Sequence, residues 1–179
     1  IYTVIVLFTI QWHKNKSVKN SLVLGAFIGL ATICRPIEII SVFIPIFWEV
    51  KNRKAFTEKT KNIWNNHLKE LVVAVLSCVG VVFVQMLYWK IYAGEFIHNS
   101  YHNHGEGLDL LSPHILEVLF SFRKGWFVYT PILLFSFVGF YYLKKEKSQY
   151  FWSLLIFTCV NLYLVSSWTC WWYAQSFSQ

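Results

Sequence analysis

Six apolar runs, interrupted by short polar stretches, set the plan of this chain: residues 1–12, 21–34, 37–50, 71–92, 126–143 and 150–167. Within these runs the apolar residues are continuous and do not alternate with polar ones, the pattern of segments solvated on every side by hydrocarbon. About 20 apolar residues are needed to cross a bilayer core. The run 71–92 meets that length, and 126–143 and 150–167 approach it. The run 1–12 is too short and reads as the tail of a truncated helix. Arg35-Pro36 separates 21–34 from 37–50. Proline disfavours helix at the residue before it, and an arginine at mid-bilayer costs at least about 2.5 kcal/mol. Two short helices forming a re-entrant-like hairpin, with its tip at Arg35 to Glu38, avoid that cost. The expected fold is all-α: a polytopic transmembrane helical bundle with this hairpin, a basic cytoplasmic loop at 51–69 and an external loop at 94–125. Within the external loop, Ser112-Pro113 is a helix-start signal. From there His114, Glu117, Ser121 and Lys124 recur at spacings of three and four among apolar residues. They predict an amphipathic helix at the outer interface, ending at Gly125 and separate from the span that follows.

Composition and charge fix the sides. Apolar residues make up 56% of the chain and charged residues only 14%, which places it with membrane proteins. The net charge of +7 does not point to nucleic acid, because the cations sit in short clusters between apolar runs and not on one face. Of the 16 Lys and Arg residues, twelve fall in the stretches 13–20, 51–69 and 144–147, and four (Arg35, Lys90, Arg123 and Lys124) lie elsewhere. This asymmetry makes the first set cytoplasmic and turns the Arg35 tip, the polar island around 98–125 and the aromatic segment 168–179 outward together. The four cysteines form no C-x-x-C pair and carry no redox signal. The run at Ile1 opens without an initiator Met or a basic leader, so an internal fragment of a larger polytopic protein is expected.

The polar island holds the candidate chemistry. His98, His102, His104 and Glu106 have the density of a metal site, but Gly105 and Gly107 argue for a turn and not a rigid ligand frame. No cofactor is expected; a divalent metal on those four is the alternative to hydrogen bonding with a polar substrate or with headgroups. Glu106 and Asp109 are the candidate general bases or sugar-hydroxyl ligands, with a solvated carboxylate as the alternative for each. His114 belongs to the polar stripe of the interfacial helix. Arg35 either pairs with Glu38, one turn on, or holds a lipid-linked phosphate in its guanidinium fork, and Arg123 with Lys124 offers the same from the facing loop. Trp168, Trp171 and Trp172 read either as an interfacial belt or as rings that stack on sugar faces.

Three segments together resemble a known family. Gly29-Leu30-Ala31-Thr32-Ile33-Cys34-Arg35-Pro36 is similar to the GLA-x-L-x-R/K-P segment of bacterial GT-C glycosyltransferases, polytopic enzymes related to protein mannosyltransferases and aminoarabinose transferases. Residues 119–131, LFSFRKGWFVYTP, resemble an LFS-x-x-x-G-x-F-x-Y-x-P block of the same family, and 168–177 its W-x-x-WW-x-G-x-SF segment. Ala174 and Ser178 stand where glycines are often found. The resemblance implies inverting transfer of a sugar from a polyprenyl-phosphate donor to an acceptor on the outer face of a bacterial plasma membrane. It also implies a catalytic carboxylate in an earlier external loop, on the N-terminal side of Ile1. Two other classes compete, a lipid or polysaccharide-precursor transporter or flippase and a non-catalytic membrane scaffold. Apart from Lys90 near the end of 71–92, the long runs carry no charged side chain, which counts against an ion or proton carrier. A scaffold has no need of polar islands confined to one side.

Overall fold

A computed structural model describes residues 1–97, 107–123 and 125–172. The regular secondary structure among these residues is helical, apart from one isolated antiparallel bridge between Leu108 and Trp168. Helix α1 (Tyr2–Lys14) and helix α2 (Val18–Cys34) form the first hairpin. Ser17 caps α2 by accepting from the Asn20 N–H, and the Trp12 indole donates to the buried Ser21 hydroxyl at 2.8 Å. A buried indole N–H without a partner is costly, so this bond sets the register of the hairpin.

The chain reverses at Arg35. Its backbone is extended, as the following proline requires, and a 3-10 helix (Pro36–Val42) leads directly into the short helix α3 (Phe43–Phe47). This leg packs back along α2, and Trp48 at its end brings its ring to 6.5 Å from that of His13 and 4.5 Å from that of Tyr150. The tip at Arg35 therefore lies at the opposite end of α2 from the basic turn after α1. Ile5, Trp12, Leu24, Ile28, Ala31, Ile44 and Trp48 form the core between these elements.

The stretch 51–69, expected as a loop, contains helix α4 (Arg53–Asn66). Its charges concealed a half-buried packing face: Phe56 stacks on Phe47 at 5.4 Å, Ile63 packs on the core, and the Lys59 ammonium donates to the carbonyls of Pro45, Ile46 and Trp48 at 3.0, 3.0 and 2.6 Å. Those carbonyls end α3 and have no helical donor, so the lysine caps that helix from outside. Helix α5 (Leu68–Ala93) follows after His67 alone and stops at Gly94, which takes the left-handed conformation with φ +79°. It runs parallel to α2: a Cβ built at Gly25 would overlap the Ala74 carbonyl, and one built at Gly29 would lie 2.8 Å from the Cys78 carbonyl oxygen. Small residues four apart on both helices let the backbones touch, the packing that serves where no hydrophobic force acts between helices.

The expected span 126–143 is divided. Trp126–Tyr129 is one helical turn (α7), Thr130 leaves the helix ahead of Pro131, a 3-10 turn covers Pro131–Leu134, and helix α8 (Phe135–Glu146) completes the segment. Helix α9 (Ser148–Ser166) packs against α3 and α8, and the Ser153 hydroxyl donates to the Ile44 carbonyl at 2.8 Å. By length and composition α5 and α9 are the two helices able to cross a membrane among the described residues, and almost none of either is buried inside the molecule. The runs around 21–34 and 37–50 form shorter apolar helices, Val18–Cys34 and Pro36–Phe47.

Candidate functional site

The end of α9 and the polar island are joined through their backbones. The Asp109 N–H donates to Ser167 O at 2.7 Å, the Thr169 N–H to Gly107 O at 3.0 Å and the His114 N–H to Ser166 O at 2.7 Å. Thr169 Oγ1 accepts from the Gly107 N–H at 3.0 Å, and the Tyr163 hydroxyl donates to Leu110 O. This strap holds 107–114 across the end of α9. It also explains where the following helix begins. The interfacial helix expected from Ser112 spans only Ile115–Phe120 (α6): His114, at φ −86° and ψ 49°, is its N-cap, and its N–H is bonded to Ser166 O. Lys124 lies outside the described residues. At Gly125 a Cβ would sit 2.5 Å from Ser121 O and 2.6 Å from Ser121 N, so the turn that ends this segment accepts only glycine.

The strap brings several of the expected residues together. Asp109 is exposed and its Oδ1 accepts from the Leu111 N–H at 3.0 Å. The His114 ring stands 6.2 Å from Trp171, and the Arg123 guanidinium lies over the Trp172 ring with its carbon 4.3 Å from the centroid. Trp168 takes part in the bridge to Leu108. A guanidinium stacked on an indole keeps its N–H edge free for in-plane acceptors such as phosphate or carboxylate oxygens. Trp172 is 40% exposed beside it. The strap thus brings a stacked cation and indole, a second indole beside His114 and an exposed carboxylate to the end of α9.

Arg35 is exposed at the hairpin tip and makes no ion pair with Glu38; the link between them is the Glu38 N–H to Arg35 O bond at 2.9 Å. Glu38 Oε2 is buried without a hydrogen-bond partner, as is the Ser41 hydroxyl one 3-10 turn further on. Arg35 and the Asp109–Trp172 cluster occupy the same end of the molecule, since α2 and α9 both start at the basic end, where Trp12 meets Ser21 and Trp48 meets Tyr150. No hydrogen bond or ion pair among the described residues joins the two. His98, His102, His104 and Glu106 lie outside the described residues; among those described, no three His, Cys, Asp or Glu side chains gather where a metal ion would sit.

At the basic end, burial and the nearby Lys59 and Lys16 charges hold the His13 imidazole down at about 4, against a bond to the Thr9 carbonyl that opposes them. Burial likewise brings the Lys59 ammonium down to about 8, with Glu49 opposing and Lys16 adding to the shift. Comparison with models of protein families, with curated protein sequences and with solved structures finds no match.

Proposed function

We propose that the protein is an integral membrane glycosyltransferase, a polytopic helical bundle of the bacterial plasma membrane that moves a sugar from a polyprenyl-phosphate donor to an acceptor on the outer face. The observation that carries this reading is the strap. Two polar stretches some fifty to sixty residues apart in sequence, both within segments that resemble or adjoin GT-C motifs, meet at the end opposite the basic turns, where Arg123 lies on Trp172. Transfer breaks the bond from the anomeric carbon to the donor phosphate and forms one to an acceptor oxygen, whose proton passes to a carboxylate. Charge grows on the departing phosphate, and a guanidinium fixed beside it lowers the barrier. Arg123 serves there, with Arg35 at the same membrane face and Lys124 adjacent in sequence. The exposed indole of Trp172 and the Trp171 ring beside His114 suit the face of a sugar, while Asp109 on the strap, with Glu106 close to it in sequence, is the acid for hydroxyls or the acceptor proton.

The test is an assay with radiolabelled polyprenyl-phosphate sugar and the full-length protein in membranes. Release of free polyprenyl phosphate is expected, falling by about a hundredfold in Arg35→Ala and less in Arg35→Lys, which keeps charge without the fork. Movement of intact donor across the membrane with no cleavage would replace this reading with that of a flippase.

A further inference from the structure

Helix α4 has two unlike flanks around its half-buried packing face. Phe56, Lys59 and Ile63 point inward, onto α3 and the core. At 3.6 residues per turn, Arg53, Lys54, Thr57, Lys61 and Trp64 fall within an arc of about 100° on one side. All five are exposed, Trp64 by 64%. The Arg53, Lys54, Lys61 and Trp64 side chains make no hydrogen bond, ion pair or ring contact within the described residues. Glu58, Asn62 and Asn65, also exposed, lie on the other flank, which carries no cation.

The placement of the helix sets the depth of this arc. Only His67 separates α4 from α5, and α5, at 26 residues and about 39 Å, exceeds a hydrocarbon core of about 30 Å, so a span by α5 carries its ends to the headgroup layers, with α4 joined to the first of them. Lys59 and Phe56 pin the remainder of α4 to the end of the hairpin. We infer that the Arg53, Lys54, Lys61 and Trp64 face of α4 is a docking surface for the anionic phospholipid headgroups of the leaflet at the basic end. Cations are drawn to that surface, and an indole with one polar edge sits at its boundary. This goes beyond sugar transfer and rests only on the membrane insertion of α5 and α9.

The experiment places single fluorescent probes at Thr57→Cys, Asn62→Cys and Val79→Cys in the full chain, with its four native cysteines changed to alanine. The protein is reconstituted in phosphatidylcholine vesicles with or without phosphatidylglycerol, each containing a headgroup-attached or an acyl-chain-attached spin-labelled quencher. The probe at Thr57 should be quenched from the headgroup at least about twofold more with phosphatidylglycerol present, and the gain should vanish in Lys54→Gln/Lys61→Gln. Asn62 should remain unquenched in both lipids. Equal quenching of Thr57 in both lipids, or none while the Val79 probe is quenched from the acyl chains, overturns the headgroup assignment and leaves the membrane reading standing. Shielding of Thr57 from an aqueous quencher without lipid quenching would overturn the headgroup assignment in favour of contact with a second copy of the chain, and an unquenched Val79 would remove the membrane reading itself.

Discussion

His13 shows how one half-buried side chain couples the basic end to pH. Its ring lies against Trp12 at 5.0 Å and Trp48 at 6.5 Å, its Nδ1 is 2.9 Å from the Thr9 carbonyl, and its Nε2 is buried without a partner. The charges facing it, Lys59 from α4 and Lys16 from the turn, are both positive. The folded imidazole is therefore held down at about 4 from an ordinary 6.5. A group whose folded value is lowered binds more protons when unfolded across that window, so stability is complete above 6.5 and is lost as the pH falls toward 4. The expected loss is about 3 kcal/mol. Thermal unfolding in detergent between pH 7 and 4 should show it, and His13→Gln should flatten the profile by removing the titration; an unchanged slope would assign the acid sensitivity elsewhere. Composition gave no sign of this: the sequence marks His13 only as part of a basic turn, and the ring becomes special because the hairpin returns Trp48 to it. Arg123 is different. Its candidacy as a ligand for anions was legible from the charge beside apolar runs, while its stacking on Trp172 depends on a backbone strap that leaves no side-chain signature.

At the level of elements, α2 and α5 depend on the absence of side chains at Gly25 and Gly29. Gly25→Ala would force the Ala74 carbonyl away and should destabilise by about 1 to 3 kcal/mol, as overpacking does. Gly80 lies on the same α5 with nothing within 4 Å of an added Cβ, so Gly80→Ala should be neutral or mildly stabilising through helix propensity. Equal loss in both variants by thermal unfolding would mean that close approach is not what holds the pair. Both membrane-length helices were legible in the sequence, since long apolar runs leave little choice of structure. Their bounds moved by a few residues, from 71–92 to Leu68–Ala93 and from 150–167 to Ser148–Ser166. The break at Pro131 was present in the sequence, but continuous apolarity across it suggested a single span. In α4 the lysine on the packing face disguised a helical period of Phe56, Lys59 and Ile63, because a cation capping carbonyls occupies a position where an apolar residue is ordinarily expected.

The molecule as a whole has two unlike ends. One gathers the basic turns, α4 and the start of α9; the other holds the Arg35 tip and the strap with Asp109, His114, Arg123 and the tryptophans. The reversal at Arg35-Pro36 was legible because a proline and a mid-run arginine both oppose a continuous helix. The meeting of 107–114 with 166–169 was not, since main-chain pairing between distant segments is written in no residue type. Sidedness is the claim on which outer-face chemistry stands, and cysteine labelling of the full-length protein in sealed vesicles of known orientation tests it most directly. Leu111, 96% exposed on the strap, and Ile37 at the hairpin tip are the sites for one end, and Thr57, exposed on α4, is the site for the other. An impermeant reagent added from outside should modify Leu111→Cys and Ile37→Cys and spare Thr57→Cys until the membrane is opened. Modification of Thr57 and Ile37 from the same side would contradict this sidedness, because the hairpin tip could then take no part in a site with Arg123.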